Sequence, residues 1–289
     1  MLHRHILHNE TIRETSEASL SPGQVGVLSG WGVFSTLRVT DGVLFAFERH
    51  WARIARDAAA FHVTIPPDAE KVRRKLLELV EANRANNATL RLAIVRNDGS
   101  MWAGPSGGRA SDLIALTADT KEWGEGVKLA CQANARHAAC PFAGTKILSW
   151  AMNLTWIESA NRRGFDEVIL LNERGEVAEC TSANIFAANG NRVWTPPLSS
   201  GCLPGITREI LLGEIRAPGI QIAERVLTLA DLESADELFI TSTTRGLLPV
   251  LEIERKQVRR GERARAALQA AFAEFVDRYV AEHKEVPAR

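Results

Sequence analysis

The sequence lacks the features that mark several large protein classes. Its apolar runs, such as residues 168–171, are the length of a strand and far too short to cross a membrane. The first residues, Met1 to His5, lack the apolar region of a secretory signal. The four cysteines form no CxxC pair and have no histidine at metal-ligand spacing: Cys131, Cys140, Cys180 and Cys202. We therefore expect reduced thiols in a cytoplasmic protein, and neither a disulfide scaffold nor a zinc module.

The sequence also has no excess of charge. Thirty-five basic residues balance thirty-five acidic residues, which gives a formal net charge of +0. Such a chain creates no overall field that would attract nucleic acid or an anionic membrane. We therefore predict a small-molecule partner, with neither nucleic acid nor a membrane as a partner.

The length and composition predict two domains with substantial cores. A chain of 289 residues with 45% hydrophobic residues exceeds the size of one small domain. Hydrophobic periodicity stops and polar residues cluster at 119–123. We therefore predict a smaller α+β domain at 1–118, a linker at 119–123 and a larger, β-rich domain at 124–289.

Local patterns predict most of the secondary structure. Asp41-Gly42 predicts a tight hairpin, Asp68 predicts a helix N-cap, and the apolar stripe of the last helix predicts core packing. The main predicted strands are 32–40, 43–47, 88–96, 113–117, 168–171, 177–181, 185–188 and 192–195, and the main predicted helices are 48–61, one starting after residue 68, and 262–282.

Three histidines near the start, His3, His5 and His8, have the spacing HxHxxH. This spacing is compatible with a metal site, but it is more typical of an exposed polar strand at the edge of a sheet. We therefore predict no metal.

Three segments stand out as possible sites for chemistry. Gly205, Ile206 and Thr207 precede an apolar helical pattern, and a helix start offers free N–H groups to a phosphate. An ordinary capped helix start gives the same pattern. The hydroxyl-rich segment 241–246 follows a predicted strand and could also hold an anion. Lys146 lies beside apolar residues, where burial lowers the pKa of a lysine and suits it to form a Schiff base, although a lysine in this setting also reaches solvent readily.

Taken together, the order of these segments resembles the class IV aminotransferases, which are pyridoxal 5'-phosphate enzymes of fold type IV. This family includes branched-chain and D-amino-acid aminotransferases and aminodeoxychorismate lyase. The resemblance covers most of the chain. The matching segments are 30–38, 47–54, Lys146 with Asn153, 164–168, 175–186, 203–208 and 241–250.

The resemblance implies a role for each matching residue. Lys146 would hold the cofactor through a Schiff base and move the substrate α-proton. Glu179 would face the pyridine nitrogen, with Asn184 nearby, although a turn-forming asparagine fits that position equally well. Lys146 and Glu179 would come from the larger domain and Arg53 from the smaller one. The residues implied to bind the cofactor are Arg53, Lys146, Glu179, Asn184, Leu203, Gly205, Ile206, Thr207, Thr243 and Thr244.

The sequence departs from the branched-chain pattern in its pocket. It contains one tyrosine, and the positions expected to carry pocket tyrosines hold Ser29, Thr89 and Ala151. Ser35 replaces the usual glutamate, which makes the segment more similar to the lyase branch. Three arginines are candidates for the substrate carboxylate, and each is equally compatible with a structural charge: Arg38, Arg91 and Arg245.

From this resemblance we expect an aminotransferase that moves an amino group between a small, branched-chain or aliphatic amino acid and a 2-oxo acid. The alternative within the family is 4-amino-4-deoxychorismate lyase. A more distant alternative is a non-catalytic protein that binds pyridoxal phosphate, but the presence of both Lys146 and Glu179 argues against it. The resemblance also implies a homodimer.

Overall fold

The structure is a computed structural model that describes residues 1–20, 25–99, 109–259 and 261–284. Its contacts divide the chain into two units. The first unit contains Met1–Lys121, Lys146–Trp150 and Asp277–Arg289, and the second contains Glu122–Thr145 and Ala151–Val276.

The first unit is built on an antiparallel sheet of six strands within the described residues. The strand order is β2-β1-β6-β5-β3-β4. The strands are β1 (Leu2–His8), β2 (Thr11–Glu14), β3 (Gly32–Thr40), β4 (Val43–Leu44), β5 (Ala88–Arg96) and β6 (Ser111–Asp119).

The predicted hairpin between β3 and β4 is confirmed. Thr40 and Val43 pair across the turn, and both intervening residues have positive φ, 48° at Asp41 and 82° at Gly42. A two-residue hairpin with the twist of the flanking strands requires this backbone, which aspartate tolerates and glycine adopts without strain.

Helices cover the sheet of the first unit: α1 (Val25–Ser29), α2 (Phe47–Ala60) and α3 (Ala69–Ala82). The predicted cap is confirmed, because the Asp68 carboxylate accepts a hydrogen bond of 2.9 Å from the backbone N–H of Lys71. Leu76 and Leu79 on α3 are completely buried in the core.

One short segment joins the first unit from far along the chain. Phe34 N–H donates to the carbonyl of Lys146 at 3.0 Å, and Leu148 N–H donates to the carbonyl of Gly32 at 2.9 Å. Ile147 thereby forms an antiparallel bridge with Val33. Lys146 thus belongs with the smaller unit, whereas the sequence analysis assigned it to the larger domain. Local patterns in residues 146–150 do not show this pairing.

The second unit is built on a larger, mixed sheet in the described part of the chain. Its strand order is β12-β11-β10-β13-β14-β7-β8-β9, and β15 pairs with β14. The β7–β8, β7–β14 and β11–β12 pairs are parallel. The strands are β7 (Val127–Arg136), β8 (Glu167–Asn172), β9 (Val177–Cys180), β10 (Asn184–Asn189), β11 (Arg192–Thr195), β12 (Gln221–Glu224), β13 (Glu237–Ser242), β14 (Gly246–Ile253) and β15 (Lys256–Gln257).

Within the described residues, four α-helices follow or connect these strands: α4 (Ala151–Arg162), α5 (Ile206–Gly213), α6 (Leu229–Ser234) and α7 (Arg263–His283). The predicted stripe of α7 packs into the core, with Leu268, Phe272 and Val276 buried. The end of α7, from Asp277, belongs to the first unit, which the predicted boundaries did not include. In the ranges that the structure describes, no helix combines the length and apolar composition needed to cross a membrane.

The three histidines near the start lie on β1, which is not at the edge of its sheet. The prediction of an edge strand was wrong, because β1 pairs with β2 on one side and with β6 on the other. His3 contacts Thr117 and Asp119, and His5 contacts Asn83. These side chains therefore bond to neighbouring elements of the first unit.

Candidate active site

Helix α2 presents a buried polar stripe to the sheet of the first unit. His50, Arg53 and Asp57 are 1%, 7% and 1% exposed, and their spacing of three and four residues places them on one helix face. Burying ionisable groups is costly unless each has a partner or a ligand. A buried stripe of this composition therefore indicates a function.

The stripe is joined to the sheet through Ser35 of β3, which is completely buried. The Arg53 guanidinium donates to the Ser35 hydroxyl at 2.9 Å, and that hydroxyl lies 2.7 Å from Nδ1 of His50. Ser35 thus holds two basic side chains with one neutral group. A glutamate at this position would instead place a negative charge beside them.

The surroundings of His50 favour its neutral form. Burial lowers the pKa of this imidazole well below its usual value of 6.5, and the positive charges of Arg53 and Lys146 lower it further. Its Nε2 atom is buried and has no hydrogen-bond partner among the described residues. The arrangement therefore combines a neutral imidazole with a charged guanidinium.

Lys146 is held at the end of this stripe and beside an aromatic ring. Its backbone N–H donates to the Asp57 carboxylate at 2.9 Å, and its side chain is half-buried. Its Nζ atom lies 4.5 Å from the centroid of the Phe34 ring, and Cζ of Arg91 lies 4.1 Å from the same centroid. The structure therefore brings Lys146 and Arg91 to one side chain of β3.

The candidate substrate arginines of the first unit share one face of its sheet. Arg38 is directly opposite Thr89, and Thr36 is directly opposite Arg91. Directly paired residues and residues two apart point to the same face, so Arg38 and Arg91 are diagonal neighbours. Thr89 of β5 occupies a position where the family pattern predicts a tyrosine, so this face has a small hydroxyl beside two arginines.

In the second unit, Glu179 of β9 is a buried carboxylate with two fixed donors. Arg136 Nε donates to Oε1 at 2.9 Å, and the backbone N–H of Leu203 donates to Oε2 at 3.0 Å. Asn153 donates to the Thr181 carbonyl at 2.9 Å. The structure thus brings the predicted residues Glu179 and Leu203 together and adds Arg136, which the sequence analysis did not identify.

Asn184 fixes the loop that carries Leu203. Its side-chain amide donates to the Leu203 carbonyl at 2.9 Å. A Cβ atom on Gly205 would lie only 2.0 Å from the Asn184 side-chain oxygen, so a larger residue at 205 would displace this contact. Asn184 and Gly205 are therefore adjacent, and glycine is needed here for close approach.

Helix α5 begins directly after Gly205, which caps it without a side-chain hydrogen bond. The first N–H groups of a helix have no partner within that helix, so those of Ile206 and Thr207 are available to an acceptor. The Thr207 hydroxyl is also buried and has no hydrogen-bond partner in the described residues. This helix start therefore presents a buried hydroxyl and backbone N–H groups that have no partner within the helix.

The segment after β13 lies close to the same loop through strand pairing. Thr241 is directly opposite Asn184 in the β10–β13 ladder. The next residues, Thr243 and Thr244, are half-buried, and the backbone N–H of Arg245 closes a turn onto Ser242 at 3.2 Å. Arg245 itself is buried in the second unit, bonded to Ser182 and Glu167.

A comparison with known protein families shows the family to which this chain belongs. The family model for class IV amino-transferases matches residues 32–253. This range includes β3 to β6 of the smaller sheet, Lys146, Glu179 and the segment after β13. The chain belongs to the class IV aminotransferase family.

Relatives of this family member cover most of its length. It is 32% identical to the "Putative branched-chain-amino-acid aminotransferase" of Methanocaldococcus jannaschii, over 83% of this chain and 85% of the relative. It is 29% identical to the D-alanine aminotransferase of Bacillus licheniformis, over 89% of this chain and 90% of the relative. The solved branched-chain amino acid aminotransferase of Escherichia coli superposes with a TM-score of 0.83 at 25% identity, covering 95% of each chain. The predicted fold type IV architecture is therefore confirmed.

Several residues of this family member were missed by sequence reasoning. His50 and Asp57 flank Arg53 at helical spacing, so a search for polar residues on the buried face of α2 would have found them. Arg136 and Glu167 have no such local signal. Their partners lie 43 and 78 residues away, at Glu179 and Arg245, and only the tertiary structure shows those contacts.

We predict that His50 makes the apoprotein less stable in acid. The unfolded chain binds a proton at this imidazole near pH 6.5, whereas the folded protein resists it, so the free energy of unfolding falls as the pH drops below about 6.5. One such group lowers the free energy of unfolding by at most about 1.4 kcal/mol for each pH unit. In urea unfolding from pH 7.5 to 5, His50→Gln should lose less stability than the parent.

His62→Gln serves as the matched control, because His62 lies just beyond the same helix but is exposed. This variant should follow the parent at every pH. A constant difference between parent and His50→Gln across the range would contradict the assignment.

Proposed function

We propose that this protein is a pyridoxal 5'-phosphate-dependent aminotransferase that uses Lys146 as its Schiff-base lysine. The observation that supports this proposal best is the position of Lys146 in the first unit. The segment that carries it pairs with β3, and its backbone is hydrogen-bonded to Asp57. Its amine lies against the Phe34 ring, and its positive charge lowers the pKa of His50. A surface lysine would need none of these contacts.

The residues present fit the phosphate of this cofactor. The buried Thr207 hydroxyl has no partner among the described residues, and the α5 start offers further N–H donors. We assign the phosphate to Arg53, Ile206, Thr207, Thr243 and Thr244. A guanidinium, hydroxyl groups and a helix N-terminus are the donors that bind a dianion most strongly.

The remaining contacts orient the ring end of the site. We assign Glu179 to the pyridine nitrogen and Leu203 to the ring face, with Asn184 and Gly205 fixing the Leu203 loop. When bound, pyridoxal phosphate supplies an electrophilic carbon and a ring that withdraws electrons from the substrate α-carbon. Arg136 and the Leu203 N–H hold the Glu179 carboxylate in one orientation, so no reorganisation is needed there. We assign the α-proton transfer to the Lys146 amine.

For the substrates we propose a small aliphatic or branched-chain amino acid and a 2-oxo acid. The names of the relatives support amino-acid substrates but differ in side chain and stereochemistry. Arg38 and Arg91 are diagonal neighbours, and Arg91 shares the Phe34 ring with Lys146, which suits this face to a substrate carboxylate.

A lyase of the same family is the second candidate. Ser35 is the observation that favours it, since this hydroxyl replaces the usual glutamate and bonds to Arg53. The absence of tyrosine at Ser29, Thr89 and Ala151 agrees with this alternative. 4-Amino-4-deoxychorismate would then be cleaved to pyruvate and 4-aminobenzoate with the same lysine.

We also propose a cytoplasmic homodimer. Helix α4 exposes Met152 and Leu154, at 65% and 55%, and Phe142 before it is 49% exposed. Exposed apolar side chains clustered in sequence support an interface with a second copy. For the location, the four cysteines with no CxxC pair support a reducing compartment. Sedimentation should give twice the chain mass.

We predict that Arg53→Ala weakens cofactor binding through the phosphate alone. Removing one charged partner of a desolvated anion costs about 2–5 kcal/mol, which is roughly thirty- to several-thousand-fold in affinity. Titration of the apoprotein should show this loss for pyridoxal phosphate, whereas pyridoxal should bind parent and variant about equally.

The control for that titration is Arg74→Ala, which removes an exposed arginine from α3 of the same unit. It should bind both ligands as the parent does. An equal loss of affinity for pyridoxal and pyridoxal phosphate in Arg53→Ala would show that Arg53 does not act on the phosphate.

The experiment that tests the proposed function separates its two half-reactions. The cofactor-loaded protein is mixed with single L- or D-amino acids in the absence of a 2-oxo acid. An aminotransferase must then convert its cofactor stoichiometrically to the amine form, which removes the visible absorption band. Addition of a 2-oxo acid must restore the band, because the two half-reactions are separable. We expect this with at least one small aliphatic amino acid.

The same spectra also test the lyase. A lyase regenerates its starting form in every turnover and does not need the amine form. An unchanged spectrum with every amino acid, together with pyruvate release from aminodeoxychorismate, would contradict the aminotransferase assignment and establish the lyase.

A further inference from the structure

Glu167 is a buried carboxylate of the second unit that the proposed chemistry does not use. It is the first residue of β8, and its side chain is 1% exposed. Oε1 accepts hydrogen bonds from the Thr181 hydroxyl and from the backbone N–H of Val168, and Oε2 accepts one from the Ser182 hydroxyl at 2.5 Å. The carboxylate therefore gathers donors from the segment that follows Glu179.

Arg245 is the counter-charge of this carboxylate. Its Nη2 atom lies 3.3 Å from Oε2 of Glu167 and donates to the Ser182 hydroxyl at 2.9 Å. Nη1 donates to the Ser182 carbonyl at 3.0 Å, and Cζ lies 4.1 Å from the centroid of the Trp123 ring. The guanidinium thus has a fixed position, with its side chain only 8% exposed.

A buried ion pair stabilises the fold little, so its position indicates which segments it holds together. Removing two charges from water costs about as much as their attraction returns, so such a pair contributes little to net stability. Its effect is to fix geometry, because each charge is strongly disfavoured without the other. Arginine suits this purpose, since its planar fork contacts a carboxylate, a hydroxyl and a carbonyl together.

The pair connects two segments to which we assigned cofactor contacts. Ser182 is three residues after Glu179, whereas Arg245 directly follows Thr243 and Thr244. Among the described residues, strand pairing between these segments is limited to the β10–β13 ladder, whose last pair, Asn184 with Thr241, comes before the threonines. The ion pair therefore constrains the turn that carries the two hydroxyls.

We propose that Glu167 and Arg245 are positioning residues that hold Thr243 and Thr244 in register with Glu179 for binding of the cofactor phosphate. This inference rests on the proposed function, because it concerns the same cofactor. It gives Arg245 a role in the protein framework in place of the substrate contact expected from sequence. Arg38 and Arg91 then remain the candidates for the substrate carboxylate.

The test is a neutral replacement of the pair, Glu167→Gln with Arg245→Met. Replacing both charges avoids an unpaired buried charge, so this double variant should fold. We expect its Kd for pyridoxal phosphate to rise about 10- to 100-fold, which is the effect on metal affinity of removing a residue that orients a metal ligand. Its Kd for pyridoxal should stay within about twofold of the parent, because the phosphate is absent.

Two further variants keep the test decisive. Arg245→Lys retains the charge but loses the fork, so it should recover part of the phosphate-dependent affinity. The control is Glu233→Gln with Lys256→Met, which removes an exposed ion pair of 2.7 Å from the same unit. This control should bind pyridoxal phosphate and pyridoxal as the parent does.

Three outcomes would overturn the inference. The role of the pair would be purely structural if the neutral double variant were less stable than the parent but bound both ligands with parental Kd values. If the double variant does not fold, Arg245→Lys takes its place in this comparison. An increased KM for the amino acid with an unchanged Kd for pyridoxal phosphate would show that Arg245 contacts the substrate. A parent protein that does not bind pyridoxal phosphate would refute the proposed function itself, and the inference with it.

Discussion

The pairing of residues 146–148 with the start of β3 is the constraint on which the candidate chemistry depends. Two backbone hydrogen bonds, made by Lys146 and Leu148, and the carboxylate of Asp57 fix the main chain of this segment, and the Lys146 amine lies 4.5 Å from the centroid of the Phe34 ring. Gly32 permits this pairing. A Cβ there would lie 2.4 Å from the Ile94 carbonyl and 2.6 Å from the Leu148 side chain. An amine that must act at one carbon atom benefits from such a fixed base.

In each unit, hydrogen bonds from neighbouring residues orient a charged side chain that we assign to the cofactor. In the first, Arg53 donates to the Ser35 hydroxyl, which also contacts the neutral imidazole of His50, so these two neutral groups help to fix the guanidinium. In the second, Glu179 accepts from Arg136 and from the Leu203 backbone, which fixes the orientation of its carboxylate. In both units, hydrogen bonds within the protein orient the group that we assign to the cofactor.

Sequence patterns predicted what local physics determines. The turn at Asp41, the cap at Asp68 and the family motifs around Lys146 and Glu179 each depend on neighbouring residues, and the fold type followed from the motifs. The patterns did not place Lys146 with the smaller unit, and they put β1 at a sheet edge. Both errors have one cause: strand partners far apart in sequence leave no trace in either strand alone.

Chemical mapping of the cofactor attachment tests the central claim most directly. The purified protein is loaded with pyridoxal phosphate, reduced with borohydride, digested and analysed by mass spectrometry. We predict that the phosphopyridoxyl group is on the peptide containing Lys146 and that Lys146→Ala abolishes the reducible attachment. Attachment in the parent at Lys121 or Lys128, with Lys146 unmodified, would contradict the account.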